Sequence, residues 1–192
     1  MDCAPFVYIM LHKPAGLLSA TEDKRQKTVL DLLPEYLRRR GLFPVGRLDK
    51  DTTGLLLITD DGALAHELLS PKKHVDKVYY ARCRGTVREG AAEEFARGIH
   101  LPDGLLCLPA ELTVLSYDRI QDESEIRLRI REGKFHQVKR MLAACGKPVT
   151  YLKRLSMGPL RLDEALAPGA FRPLSDREIH TLLDICGLNA ST

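Results

Sequence analysis

Apolar positions fall into short runs separated by turn residues, and the period of each run predicts its element. Phe6 to Leu11 is a continuous apolar strand that runs into a turn at His12-Lys13-Pro14-Ala15-Gly16. Thr21 to Lys27 is polar and charge-dense, an exposed loop. Val29 to Leu33 starts helical spacing that Pro34 interrupts, and Tyr36 to Arg40 closes on three arginines before Gly41, a good helix C-terminus. Phe43 to Val45 leads into a polar loop, and Leu55-Leu56-Leu57-Ile58 reads as a buried strand. Thr59-Asp60-Asp61-Gly62 opens a helix through Leu69, stopped by Ser70-Pro71. Lys77 to Gly85 is rich in β-formers. Arg88 to Gly98 has helical spacing. Ala110 to Leu115 and Glu125 to Arg131 read as antiparallel partners. In the second, Ile126, Leu128 and Ile130 alternate with Arg127, Arg129 and Arg131, a core face and a cationic row. Phe135 to Cys145 is a helix, Val149 to Met157 a basic strand, and Ser175-Asp176-Arg177-Glu178 a capping box for a last helix through Cys186. Residues 188–192 form a tail. Hairpin strands mixed with single helices predict an α+β fold on a largely antiparallel sheet.

Composition narrows the setting. The 192 residues, 44% of them hydrophobic, suit one compact domain over residues 1–187, in two lobes at most. No apolar run approaches membrane-spanning length, and no signal peptide precedes the first strand. The five cysteines are far apart with no CxxC pair, which predicts reduced thiols and a cytoplasmic protein. The six histidines form no HxxxH pair, so no metal is expected. Net charge is only +3, so any nucleic-acid argument must rest on where the cations lie. Lys147, Lys153, Arg154 and Arg161 concentrate them in the C-terminal half.

Three stretches carry chemistry. In Gly46-Arg47-Leu48-Asp49-Lys50-Asp51-Thr52-Thr53-Gly54, a carboxylate lies between two cations in a loop closed by glycines and backed by a strand. That suits a preorganised nucleophile or base, although a solvated charged turn has the same composition. Lys77-Val78-Tyr79 puts a cation and an aromatic ring on one strand face, fit for a nucleobase and its phosphate, or simply a core tyrosine. In Glu132-Gly133-Lys134-Phe135-His136-Gln137-Val138-Lys139-Arg140-Met141, helical spacing predicts one cationic face from His136, Lys139 and Arg140. Those cations oppose the helix dipole near its start, a local cost that hints at function.

In this order and spacing the three blocks resemble the pseudouridine synthases of the RsuA/RluB type. The resemblance runs from Tyr8 to Ile179 and includes His12-Lys13-Pro14-Ala15-Gly16 and Leu166-Ala167-Pro168-Gly169. Asp51-Thr52-Thr53-Gly54-Leu55 and Thr59-Asp60-Asp61-Gly62 are most similar to the RsuA branch. The resemblance implies a mixed, mostly antiparallel sheet in two lobes with a central active-site cleft. It implies isomerisation of one uridine of 16S ribosomal RNA, at a uridine-516-type site, without cofactor or metal. The branches acting on 23S rRNA are the alternative. Carried over by position, Asp49 is the essential carboxylate. Tyr79 stacks on the target uracil, Lys139 pairs with the carboxylate, and Arg47 occupies the space around the extruded nucleotide. Lys77, Lys134, His136, Gln137 and Arg140 are expected to bind the substrate. Many relatives begin with a small basic RNA-binding module, expected to be absent here. The implied partner is small-subunit rRNA, naked or in a partly assembled particle, and a monomer is expected. Two other classes stay open: an RNA-binding or ribosome-assembly protein without catalysis, and a carboxylate glycosidase drawing a second acid from Asp51, Asp60 or Asp61.

Overall fold

The computed structural model describes residues 5–188. The expected tail and Cys3 lie largely or wholly outside them. The chain divides into two compact units, His74–Met157 and a discontinuous unit made of the chain up to Lys73 and again from Gly158. The first part of the discontinuous unit holds β1 (Tyr8–Lys13), a 3-10 turn at Val29–Leu32, α1 (Glu35–Arg38), β2 (Phe43–Pro44), β3 (Thr53–Thr59) and α2 (Gly62–Leu69). The inner unit holds β4 (Lys77–Arg84), α3 (Ala91–Arg97), β5 (Glu111–Asp118), β6 (Glu123–Ile130), α4 (Gln137–Ala144) and β7 (Val149–Met157). The chain then returns with β8 (Leu160–Arg161), β9 (Phe171–Pro173) and α5 (Asp176–Ile185). The fold class is the expected one, α+β with mostly antiparallel sheet.

In the discontinuous unit β3 pairs with β1, and β1 with β9, all antiparallel. Every residue of β1 and β3 is buried, which is why Leu55 to Ile58 reads as an unbroken apolar run instead of an alternating one. Sequence spacing ended the first strand at Leu11. It extends through Lys13 because His12 and Lys13 pair with Leu55 and Gly54.

The acidic block after β3 is a structural corner. Asp61 caps α2 by accepting from the Leu64 N–H at 3.1 Å, and it accepts the Tyr8 hydroxyl at 2.6 Å. Burial and that carboxylate hold the Tyr8 phenol far above its usual range. Asp60 accepts from the Val7 N–H at 2.8 Å and from Arg40 at 3.2 Å. Strand β3 separates this corner from Asp49 by about 20 Å of extended chain. A glycosidase needs its two carboxyls within about 5–9.5 Å. Asp60 and Asp61 are therefore not a second catalytic acid.

In the inner unit the order is β5–β6–β4–β7, antiparallel throughout. The alternation seen in sequence is real: Ile126, Leu128 and Ile130 are buried, while Arg127 and Arg129 are exposed. Helix α3 packs on β5, and α4 on β7.

The capping box predicted at Ser175 is present at the start of α5. Glu178 also receives a forked pair of hydrogen bonds from Arg172, at 2.7 and 3.2 Å, and Arg172 donates to Asp163 at 2.8 Å. The Arg172 guanidinium lowers the Glu178 carboxyl below its ordinary value of 4.5. A lowered folded pKa gives stability that is present above 4.5 and lost as pH falls through the folded value. Glu178→Gln should thus lower stability at neutral pH by about 1–3 kcal/mol. Its melting temperature should fall less steeply than wild type on acidification below pH 4.5. Parallel melting curves across that range would contradict this.

Candidate active site

The Asp49 loop is fixed from several sides within its own unit. Gly46 and Gly54 take positive φ values of 81° and 110°, and a side chain at Gly46 would press on Leu69 at 3.0 Å. The Leu48 N–H donates to the Ser19 hydroxyl at 3.0 Å, and that hydroxyl donates to the Leu48 carbonyl at 2.9 Å. Leu48 is thereby clasped into the core. The Thr52 N–H closes a turn onto the Asp49 carbonyl at 3.0 Å, and the Gly16 N–H donates to the Lys50 carbonyl at 2.8 Å.

Beneath the loop is Lys13, 0% exposed. Its ammonium donates to the carbonyls of Pro14 (3.0 Å), Lys50 (3.0 Å) and Thr52 (2.8 Å). Sequence reading set Asp49 between Arg47 and Lys50. In the structure Lys50 turns its ammonium to Gln26 at 2.7 Å, Arg47 is exposed, and the cation built into the loop is Lys13. The buried ammonium is bonded to the carbonyl of the residue that follows the half-buried Asp49. Sequence reasoning passed over Lys13 as part of a turn. Its signal was a lysine at the end of an otherwise apolar strand, directly before proline. Ser19 carried no sequence signal.

In the inner unit Tyr79 is 8% exposed and lies on the apolar face of β4, with Lys77 on the same face. Its cross-strand neighbours are Leu128 and Arg154. Val78 opposes Ser156 but Tyr79 opposes Arg154, so Leu155 is an extra residue in β7 and the pair is bulged beside Tyr79. The bulge brings Arg154, 3% exposed, directly opposite the ring. The cations of the C-terminal half are thus split between the two faces. Lys153 lies opposite Tyr80 in one row with Arg127, on the other face from Tyr79 and Arg154. Burial first, then the Arg154 charge, lower the Lys77 ammonium pKa, opposed by Asp76 and Glu132. The segment after β6 returns to the same neighbourhood, because a side chain at Gly133 would lie 3.6 Å from the Lys77 ammonium.

The third block departs from expectation at its start. Helix α4 begins at Gln137, and His136 is its left-handed N-cap residue, φ 48° and ψ 32°. His136 therefore lies outside the helix and shares no helical face with Lys139 and Arg140. For a residue other than glycine that conformation costs about 1–2 kcal/mol. Gln137 is 3% exposed. Its Oε1 accepts from the Lys134 N–H at 3.0 Å, and its amide nitrogen points at the Met141 sulfur at 3.6 Å. Its amide is engaged in holding the loop. Lys134 is exposed, near Glu132 at 3.7 Å; Lys139 is half-buried on α4, whose Val138, Met141 and Leu142 are in the core. Arg140 pairs with Asp103 and donates to the Phe135 carbonyl at 3.2 Å. Phe135 itself is 76% exposed, which forgoes about 1.5–3 kcal/mol of burial.

Two sets of groups result: a rigid carboxylate loop over a buried cation, and a ring flanked by cations on a sheet face with a fixed basic loop beside it. The model of the family described as RNA pseudouridylate synthase matches residues 7–144, which include both sets except Arg154. The chain belongs to that family. It is 48% identical over 182 residues to the uncharacterized RNA pseudouridine synthase YtzG of Bacillus subtilis, covering 95% of this chain and 75% of that protein. It is 46% identical over 176 residues to ribosomal small subunit pseudouridine synthase A of Vibrio cholerae, covering 91% of this chain and 73% of that one. A crystal structure of a pseudouridylate synthase superposes with a TM-score of 0.85 at 38% identity, over 95% of this chain and 76% of the other. The enzyme is thus a pseudouridine synthase of the type its three blocks resemble, and among its described residues no group of three or more histidine, cysteine or acidic side chains could hold a metal.

Lys13→Met keeps the length of the side chain but removes the donor from three carbonyls. We expect a loss of about 2–4 kcal/mol, hence a melting temperature lower by roughly 4–16 °C. An unchanged melting temperature would show that the loop does not depend on this ammonium.

Proposed function

We propose that this enzyme converts one uridine of small-subunit ribosomal RNA to pseudouridine, at a site of the uridine-516 type. The observation that carries the RNA target is the 46% and 42% identity, over nine-tenths of this chain, to the enzymes named ribosomal small subunit pseudouridine synthase A in Vibrio cholerae and Escherichia coli. The four described cysteines are free thiols, three of them buried, which fits work in the reducing cytoplasm.

Asp49 is the reacting carboxylate. It attacks the ribose as nucleophile or takes a proton from it as base, and either route splits a hard step into easier ones. The bond from the sugar to uracil N1 breaks, the ring turns, and carbon five bonds to the sugar. Carbon five loses one proton and N1 gains one, so the atoms balance with no oxidant or reductant. The uridine must leave its stack before this bond is reachable. Tyr79 stacks on the uracil and its hydroxyl assists removal of the carbon-five proton. Lys139, half-buried on α4, is the catalytic cation of the third block. Arg47, exposed at the loop, fills space around the extruded nucleotide. Lys77, Lys134, His136 and Arg140 contact the RNA, and Gln137 serves by holding their loop.

Release of tritium from uridine labelled at carbon five tests the reaction. Wild type should release label from small-subunit rRNA. Asp49→Asn should lose turnover by roughly 10⁴-fold or more while still binding RNA, because it removes the charge and keeps the shape. An active Asp49→Asn enzyme would sink the assignment. Tyr79→Phe should keep KM and lower kcat by about 10²-fold. A wild-type kcat there would exclude the hydroxyl from proton transfer.

A further inference from the structure

Phe135 is the most exposed aromatic side chain of the inner unit, and its setting is rigid. Its ring lies on the His136 imidazole, centroids 3.7 Å apart and planes 18° from parallel. One face of the ring is therefore covered, and with 76% exposure the other is open to solvent. The backbone beneath is tied down at each residue. The Lys134 N–H and the Gln137 N–H bond across it at 3.0 and 3.1 Å, and Arg140 holds the carbonyls of Phe135 and His136 at 3.2 and 2.9 Å. An apolar ring on a floppy loop would be unremarkable. Here a buried glutamine, an arginine and a left-handed histidine all fix a ring that is left mostly exposed.

A flat π-surface open on one side, with the exposed cation of Lys134 beside it, matches the chemistry of an unpaired nucleobase and its phosphate. We propose that the Phe135–His136 pair is a second stacking platform, which takes an unpaired base neighbouring the target uridine and so positions the substrate strand. Tyr79, which is buried, takes the target uracil itself; Phe135 is a positioning residue and does not touch the reacting atoms. The proposal rests on RNA being the substrate.

The chain has no tryptophan, so Phe135→Trp places a single tryptophan, excited selectively over the tyrosines, at the platform. Titration with a small-subunit rRNA transcript should quench it saturably. Tyr36→Trp, at an exposed position on α1, should respond much less. In steady-state tritium release, Phe135→Ala should raise KM by about 5- to 100-fold, the size of one lost stack, with kcat within about twofold. Phe135→Tyr should restore KM. Equal quenching at both tryptophans, no quenching at either, or a wild-type KM for Phe135→Ala would overturn the platform. Selective quenching without tritium release would instead sink the isomerase reading and leave the platform standing.

Discussion

The buried ammonium of Lys13 is the interaction on which the carboxylate loop depends. A charge removed wholly from water is unfavourable unless its donors are matched, and here they meet the carbonyls of Pro14, Lys50 and Thr52. Those carbonyls belong to the turn after β1 and to the chain just after Asp49. One cation therefore joins the end of a core strand to the loop that bears Asp49, the carboxylate proposed to react. The register of β1 on β3 sets Lys13 opposite Gly54, so sheet pairing delivers the ammonium to its place. Ser19 adds a second clasp at Leu48. The loop is prepared before any substrate arrives, with glycines supplying its positive-φ positions beside strands that are buried throughout.

The inner unit solves a different problem, that of placing an aromatic ring and cations where water is scarce. Strict alternation in β4 gives Tyr79 to the apolar face, and the bulge at Leu155 sets Arg154 against it. Burial and the Arg154 charge disfavour the charged form of Lys77 in the same surroundings. On the opposite face the cations are ordinary: Arg129 faces Glu111 at 3.7 Å and Arg131 faces Asp76 at 3.2 Å. Such exposed pairs contribute little to stability. The contrast explains why a count of basic residues said less than their placement.

Much of this was legible in the chain. Period-two alternation located β6 and its two faces, the unbroken apolar run located β3, and the Ser175 capping box located α5. The motif blocks named the residues of the candidate site. What could not be read was contact made through backbone atoms. Lys13 acts on three carbonyls, and a carbonyl has no letter in the sequence. The bulge beside Tyr79 is a matter of register between β4 and β7, which lie far apart in sequence. The late start of α4 was missed for a local reason: Phe135 and His136 fit helical spacing, but His136 takes a left-handed conformation that the Gln137 and Arg140 hydrogen bonds sustain. The two aspartates after β3 look catalytic by composition and prove to be a cap and a corner pin.

We propose that this scaffold serves one uridine of small-subunit rRNA. This is tested most directly by mapping where the purified enzyme makes pseudouridine. Unmodified 16S and 23S transcripts, and a partly assembled small-subunit particle, would be incubated with enzyme, and alkali-resistant carbodiimide adducts read out by reverse transcription. One new stop is expected, in the small-subunit RNA. Stops confined to the large-subunit RNA, or none on any of the three, would contradict it.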